Sequence, residues 1–206
     1  MSEAAVERRS RLTPEREAEL YTTALDLLRE VGYEALTMDS LAARSHCSKA
    51  TLYRQWGGKA ELVARALRHQ KPVHAADIDT GSLRGDFHAM LTVEDDSRLA
   101  RDFALMRGLA MAMHANPDLL RAFRELMVEP ERRGLDLVLR RAVDRGEVRA
   151  DNPALDYLMH MLVGAFVTRA VIEDRPPTVA YLTAYLDAVI LPVLGIAPVG
   201  DDPPAP

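Results

Sequence analysis

Residues 37 to 62, TMDSLAARSHCSKATLYRQWGGKAEL, read as two short helices joined by a tight turn, and every charged residue between Asp39 and Glu61 is basic. Thr37 is an N-cap whose hydroxyl accepts from an orphan amide, and Asp39 sits in the first turn, where negative charge suits the helix dipole. The first helix therefore runs from about Met38 to Ser45 with Leu41 and Ala42 facing inward. His46-Cys47-Ser48 forms the turn, and Ser48 is a second N-cap. Lys49, Ala50 and Thr51 then open the next helix at the end that meets base edges when such a helix enters a major groove. Leu52 is its buried anchor and Trp56 closes it against the core. Gly57-Gly58 breaks it, and Lys59 starts a third helix whose free amides and ammonium form a seat for a phosphate. Taken alone, the same pattern also fits a surface hairpin with solvated charges.

The wording of the stretch narrows that choice. SKATLYRQW followed by GGKAEL resembles the signature of TetR-type transcriptional regulators, in which a Ser-Lys-Gly-Thr-Leu-Tyr-x-x-Phe recognition helix is followed by a Lys and a Leu. The resemblance is specific over residues 12 to 68 and one of layout beyond. His46 stands where the family usually has the turn glycine, Cys47 replaces a small apolar residue, Ala50 a frequent glycine and Trp56 the usual phenylalanine. His tolerates a left-handed backbone better than most non-glycine residues, so the turn survives at modest cost. The departures bear on operator sequence more than on fold.

The resulting expectation is an all-α protein with a three-helix DNA-binding head containing a helix-turn-helix, followed by a helical ligand-binding and dimerisation body. Thr37, Tyr53 and Lys59 are candidate phosphate contacts. Lys49, Ala50, Thr51, Arg54 and Gln55 lie where base readout occurs, and Arg44 suits either role.

Charge agrees with a DNA-binding end. The chain has 206 residues and a net charge of −5, against a protein that coats nucleic acid indiscriminately. Residues 1 to 71 nevertheless carry a net +2 and the remainder −7. A mildly basic head on an acidic body focuses binding on one end. One cysteine excludes an intrachain disulfide, and Cys47 fills the small apolar slot of the turn more readily than it serves as a redox sensor. No apolar leader and no uncharged apolar run of membrane length is evident, so a soluble, cytoplasmic protein without a membrane partner is expected.

The domains expected are 1 to 71 (head with connecting helix), 72 to 198 (ligand-binding and dimerisation body) and 199 to 206 (a disordered tail, GDDPPAP being too polar and proline-rich to pack from Gly200 on). The first dozen residues read as a mobile arm. Thr13-Pro14 starts a helix on which Leu20, Tyr21, Ala24, Leu25, Leu28 and Val31 keep helical spacing as far as Gly32. A connecting helix spans Lys59 to about Gln70, and PVHAADIDTG is a polar linker. Five body helices follow near 82 to 93, 97 to 115, 117 to 145, 153 to 174 and 177 to 194, with Pro130 kinking or splitting the third.

The last two helices are apolar around more girth than one core-facing stripe requires. Cover on a second side by another copy, giving a four-helix bundle across a two-fold axis, satisfies them, as does a thick monomeric core. The family resemblance implies the homodimer. It also implies a small-molecule site between body helices. Phe87, Met90, Phe103, Met106, Met111, Phe123, Met127 and Phe166 are candidates to line it, and His88, His114, His160 and Arg169 to orient a ligand. At any one position an ordinary core explains the residue as well. No HxxxH or CxxC spacing supports a metal, no cofactor motif is present, and no GxSxG or Gly-rich phosphate loop supports catalysis. The leading function is a repressor released from a palindromic duplex operator by a small apolar or aromatic effector. The alternatives are an activator, a ligand-independent DNA binder, or a carrier or enzyme with a helical interaction head.

Overall fold

The computed structural model describes residues 12 to 71 and 73 to 197. The expected N-terminal arm and C-terminal tail lie outside the described residues, among which no strand occurs. The helices are α1 (Pro14–Ala35), α2 (Met38–Ser45), α3 (Lys49–Trp56), α4 (Lys59–Gln70), α5 (Leu83–Thr92), α6 (Asp96–Ala115), α7 (Pro117–Phe123), α8 (Glu129–Asp144), α9 (Leu158–Glu173), α10 (Val179–Tyr185) and α11 (Leu191–Val193). Thr13, Thr37, Ser48, Ser82, Asn116 and Thr178 each cap a helix by accepting a backbone amide on the side-chain oxygen. At Gly32 the backbone of α1 leaves helical values (φ 75°), and the last turn resumes beyond it.

The chain packs as two compact units whose division departs from a cut at residue 71: Leu105–Pro130 joins Met1–Lys71, and Pro72–Ala104 joins Glu131–Pro206. The reason lies in α4. Ala60, Leu62, Val63, Ala64, Ala66 and Leu67 are all buried, more of the helix girth than a single stripe. One side packs on α1, and α7 with the turn that follows it covers another. Leu105, Leu109, Leu119 and Ala122 thereby enter the same core as Leu20, Leu52 and Trp56. Val31, expected on the inner stripe, is exposed, and Leu27 is buried instead.

The second unit has its own core of Leu83, Phe87, Leu135, Val138, Leu158, Leu186 and Ile190. Two prolines, one in each unit, interrupt long helices in the same way. Arg124–Val128, before Pro130, and Leu186–Ile190, before Pro192, are π-helical. The residue preceding each proline donates to the carbonyl five positions back, Glu129 to Arg124 and Leu191 to Leu186. A widened turn keeps the proline ring clear of the carbonyl four residues earlier, which an α-turn would drive into it. The split at Pro130 was expected, whereas the one at Pro192 was not.

The linker is pinned to α8 and its C-terminal turn rather than left loose. His74 Nδ1 meets Glu131 at 2.8 Å, Arg141 donates to the Ile78 carbonyl, and the Leu83 amide donates to Glu147 at 2.6 Å. Asp86 is wholly buried, and its Oδ1 accepts from the Thr80 amide (2.6 Å) and hydroxyl (2.8 Å), with Arg145 at 3.6 Å from Oδ2. Asp86→Ala should therefore deprive the Thr80 amide and hydroxyl of an acceptor and Arg145 of a buried carboxylate, lowering stability by roughly 1 to 3 kcal/mol. Thermal melting followed by circular dichroism checks this, and a midpoint equal to that of the wild type would show that the contacts of Asp86 with Thr80 and Arg145 contribute nothing.

Pro153–Glu173 is long and apolar enough to cross a membrane by length and composition, and little of it is buried within the chain. Asp156, Arg169 and Glu173 interrupt its apolar run, which is why no uncharged run of membrane length is evident in the sequence. Val163, Val167, Val171 and Ile172 are exposed on α9, the last two at 83% and 79%.

Candidate nucleic-acid interface

Each end of the turn between α2 and α3 is fixed by local chemistry. Thr37 and Ser40 form a reciprocal capping box at the start of α2. His46 ends α2 in the left-handed region (φ 51°, ψ 36°), where its amide and that of Cys47 donate to the carbonyls of Ala43 and Ala42, and Arg16 donates to that of Ser45. Ser48 accepts from the Thr51 amide at 3.1 Å and starts α3. Lys49, Ala50, Tyr53 and Arg54 form the exposed face of that helix, with Thr51 and Gln55 half-buried on its flanks. The Thr51 hydroxyl lies 2.8 Å from that of Ser48 and belongs to the cap. Thr37 is exposed at the start of α2.

The inner face of α3 is held by a polar chain that sequence reading missed. Trp56 Nε1 donates to the Tyr21 hydroxyl at 3.1 Å, and that hydroxyl donates to Glu17 at 2.5 Å. The Trp56 and Tyr21 rings meet edge to face at 5.7 Å, and His69 of α4 lies 5.1 Å from the Tyr21 ring. The clue in the sequence was a tryptophan, which has a donor that the usual phenylalanine lacks. Burial, with Glu17 adding to it, pushes the Tyr21 phenol up to about 12, and burial does the same for Tyr33. A phenol whose folded pKa exceeds its unfolded value near 10 contributes stability that is complete below pH ~10. That contribution should be lost as the pH rises toward about 12. Tyr21→Phe and Tyr33→Phe should flatten the alkaline limb of the melting profile. An unchanged limb in both variants would remove the phenols as its cause.

The four basic candidates differ in availability. Lys59 turns inward: its ammonium donates to the Tyr33 carbonyl at 2.8 Å and lies 4.1 Å from the centre of the Tyr33 ring, and partial burial lowers its pKa. It braces α4 against the end of α1, a different task from the phosphate contact expected of it. Arg44 is paired with Glu30, and Lys49 with Asp39. Of the four, Arg54 alone has no ion-pair, hydrogen-bond or ring partner among the described residues. What the fold presents is a capped recognition helix with a phenol and a free guanidinium on its open side.

Comparison with known proteins matches both parts of the chain. Residues 20–66 match the bacterial regulatory proteins of the tetR family, and residues 77–189 match the tetracyclin repressor-like C-terminal domain. The chain belongs to the TetR family. It is similar to the uncharacterized HTH-type transcriptional regulator Rv1556 of Mycobacterium tuberculosis, at 36% identity over 87% of this chain and 88% of that protein. It is 34% identical to the DNA-binding transcriptional repressor TetR of Mycobacteroides abscessus, over 85% of this chain and 92% of the other. Among solved structures, the TetR family transcription regulator SCO0332 superposes with a TM-score of 0.66 at 29% identity, over 89% of this chain and all of that one. This TetR-family protein is thus a DNA-binding transcriptional regulator and not an enzyme, from a family whose members typically dimerise.

The effector candidates of this TetR-family regulator divide between the two units. In the first, Met106, Phe123 and Met127 are half-buried against the core, while Met111 (75% exposed) and His114 point to solvent and line no interior. In the second, Phe87 is buried in the core and Met90 packs on it, and Phe103 meets Phe166 edge to face at 5.8 Å. His160 is exposed beside Tyr157. Arg169 is occupied: it donates to the Thr178 hydroxyl at 3.0 Å, pairs with Glu173 at 3.3 Å, and lies over the Tyr181 ring at 4.1 Å. It joins the end of α9 to the start of α10. His88 likewise reaches Asp187 at 3.1 Å rather than standing free.

Proposed function

We propose that this regulator acts in the cytoplasm as a two-fold dimer that represses from a palindromic operator and is released by a small apolar or aromatic ligand. The observation that carries the dimer is the bare stripe on α9. His160, Val163, Val167 and Val171 recur at three- and four-residue spacing on one side and are exposed. A second copy placing the same stripe against this one buries both, as two-fold interfaces do. Gly164 supports this reading: a Cβ there would meet nothing within 4 Å in its own chain, so the protomer's packing does not demand a glycine.

Repression is favoured by the likeness to the Mycobacteroides abscessus repressor. Effector binding is supported by the half-buried Phe103–Phe166 pair and by the methionines, whose flexible thioethers adapt to apolar ligands. The DNA contacts proposed are Lys49, Tyr53 and Arg54, with Thr37 and Gln55 beside them. Two symmetric heads should protect half-sites spaced by about one helical turn, ~34 Å, or somewhat more. Footprinting on a duplex selected by the protein from a random pool tests the dimer, and a footprint without dyad symmetry would refute it. Thermal-shift screening with apolar and aromatic compounds tests the effector. A compound that stabilises the protein yet leaves its affinity for the selected duplex unchanged would show that ligand binding and DNA release are not coupled.

A further inference from the structure

Both cations flanking the leading end of the recognition helix are held by carboxylates of the head itself. Arg44, in the last turn of α2, places its two terminal nitrogens on the two carboxylate oxygens of Glu30 in α1, with Nη2 to Oε1 at 2.6 Å. Lys49, the first residue of α3, lies 2.8 and 3.0 Å from the carboxylate oxygens of Asp39 in α2. Neither pair is a neighbour along one helix, so the fold, not local spacing, brings them together. We propose that Glu30 and Asp39 are specificity-determining residues: they occupy Arg44 and Lys49 so that neither cation is free for an arbitrary phosphate.

The chemistry follows from the geometry of the donors. A guanidinium binds phosphate best through two parallel N–H donors, and the fork of Arg44 is already filled by a carboxylate. An ammonium has three donors, so Lys49 can keep Asp39 and still donate to a base acceptor in the groove. A tethered lysine is aimed, and its charge is largely neutralised toward the phosphate backbone. Non-specific affinity comes almost wholly from free cations that displace counterions, so cancelling two charges on the reading face lowers it selectively. Titration directions agree with the pairing: Arg44 holds the Glu30 carboxyl below its usual range, and Asp39 raises the Lys49 ammonium.

The inference rests on α3 being the DNA-reading helix, and its test keeps the two claims apart. E30Q, D39N and the double variant are compared with wild type on an arbitrary-sequence duplex and on the duplex selected by the wild-type protein, across a salt series. Asp39 is 71% and Glu30 50% exposed, so the amide variants should fold, and circular dichroism checks that they do. Each single variant should bind the arbitrary duplex about two- to fivefold more tightly, the range expected when an exposed ion pair is released. The salt slope should steepen by roughly 0.9 for each additional phosphate engaged. Affinity for the selected duplex should rise less, so discrimination falls. D151N, which makes the same charge change at the exposed Arg149–Asp151 pair of the other unit, should leave all of this unmoved. Unchanged or weaker binding of the arbitrary duplex by E30Q and D39N overturns the proposal, as does an equal tightening in D151N. If wild type selects a duplex but Arg54→Ala binds it normally, the α3 reading fails and the proposal falls with it.

Discussion

A V167E/V171E double variant should sediment as a monomer at micromolar concentration and lose operator affinity by about 10²- to 10⁴-fold, the range by which linking two binding modules commonly exceeds either alone. The two valines are 47% and 83% exposed in the single chain, so glutamates there cost the protomer little. In a two-fold interface the same two positions count twice. Scaled by that exposure from the about 1.5 to 3 kcal/mol of a fully buried side chain, covering the four valines is worth roughly 4 to 8 kcal/mol, and four buried carboxylates without partners would reverse the sign. The interface should therefore lose more than ~6 kcal/mol, over four decades in the dimer dissociation constant. A monomer holds one half-site and forfeits the effective concentration that couples the second. Analytical ultracentrifugation and gel shift read the two effects separately. A variant that stays dimeric would show that dimerisation uses another face, whereas a monomeric variant with full operator affinity would show that the dimer is unnecessary for reading DNA.

The head was legible in the sequence because its helices are bounded by chemistry that acts locally. Thr13, Thr37 and Ser48 cap the helices they were expected to cap, and His46 takes the left-handed turn. What lay hidden was tertiary. Nothing near Lys59 signals that its ammonium belongs to Tyr33, twenty-six residues away, or that Arg44 belongs to Glu30. The grouping of Leu105–Pro130 with the head was signalled only by the wide apolar girth of α4, a cue that the boundary at residue 71 ignored. The Met and Phe set misled at Met111 because helical periodicity is weak on α6. Alanine, glycine and methionine fall on every side of that helix, so spacing could not separate its inner face from its outer one.

Arg54→Ala should be the most damaging single change on the reading face. Of the basic residues at the interface, Arg44 and Lys49 are engaged by carboxylates and Lys59 by a backbone carbonyl, which leaves Arg54 as the cation free to meet DNA. A bidentate arginine contact to a guanine edge is worth about 1 to 3 kcal/mol, and a two-fold dimer loses it in both heads, so operator affinity should fall by roughly 30-fold to 10⁴-fold. Binding to an arbitrary duplex should weaken far less, because only a base contact carries sequence information. Lys59→Ala should behave differently. It removes the donor from the Tyr33 carbonyl and the cation from the Tyr33 ring, lowering the melting temperature of the protein while preserving preference among sequences. Fluorescence anisotropy on the selected and arbitrary duplexes distinguishes the two. If Arg54→Ala weakens binding to both duplexes equally and reduces the salt slope by about 0.9 per head, Arg54 is a phosphate contact. Base readout would then have to come from Lys49, Tyr53 and Gln55.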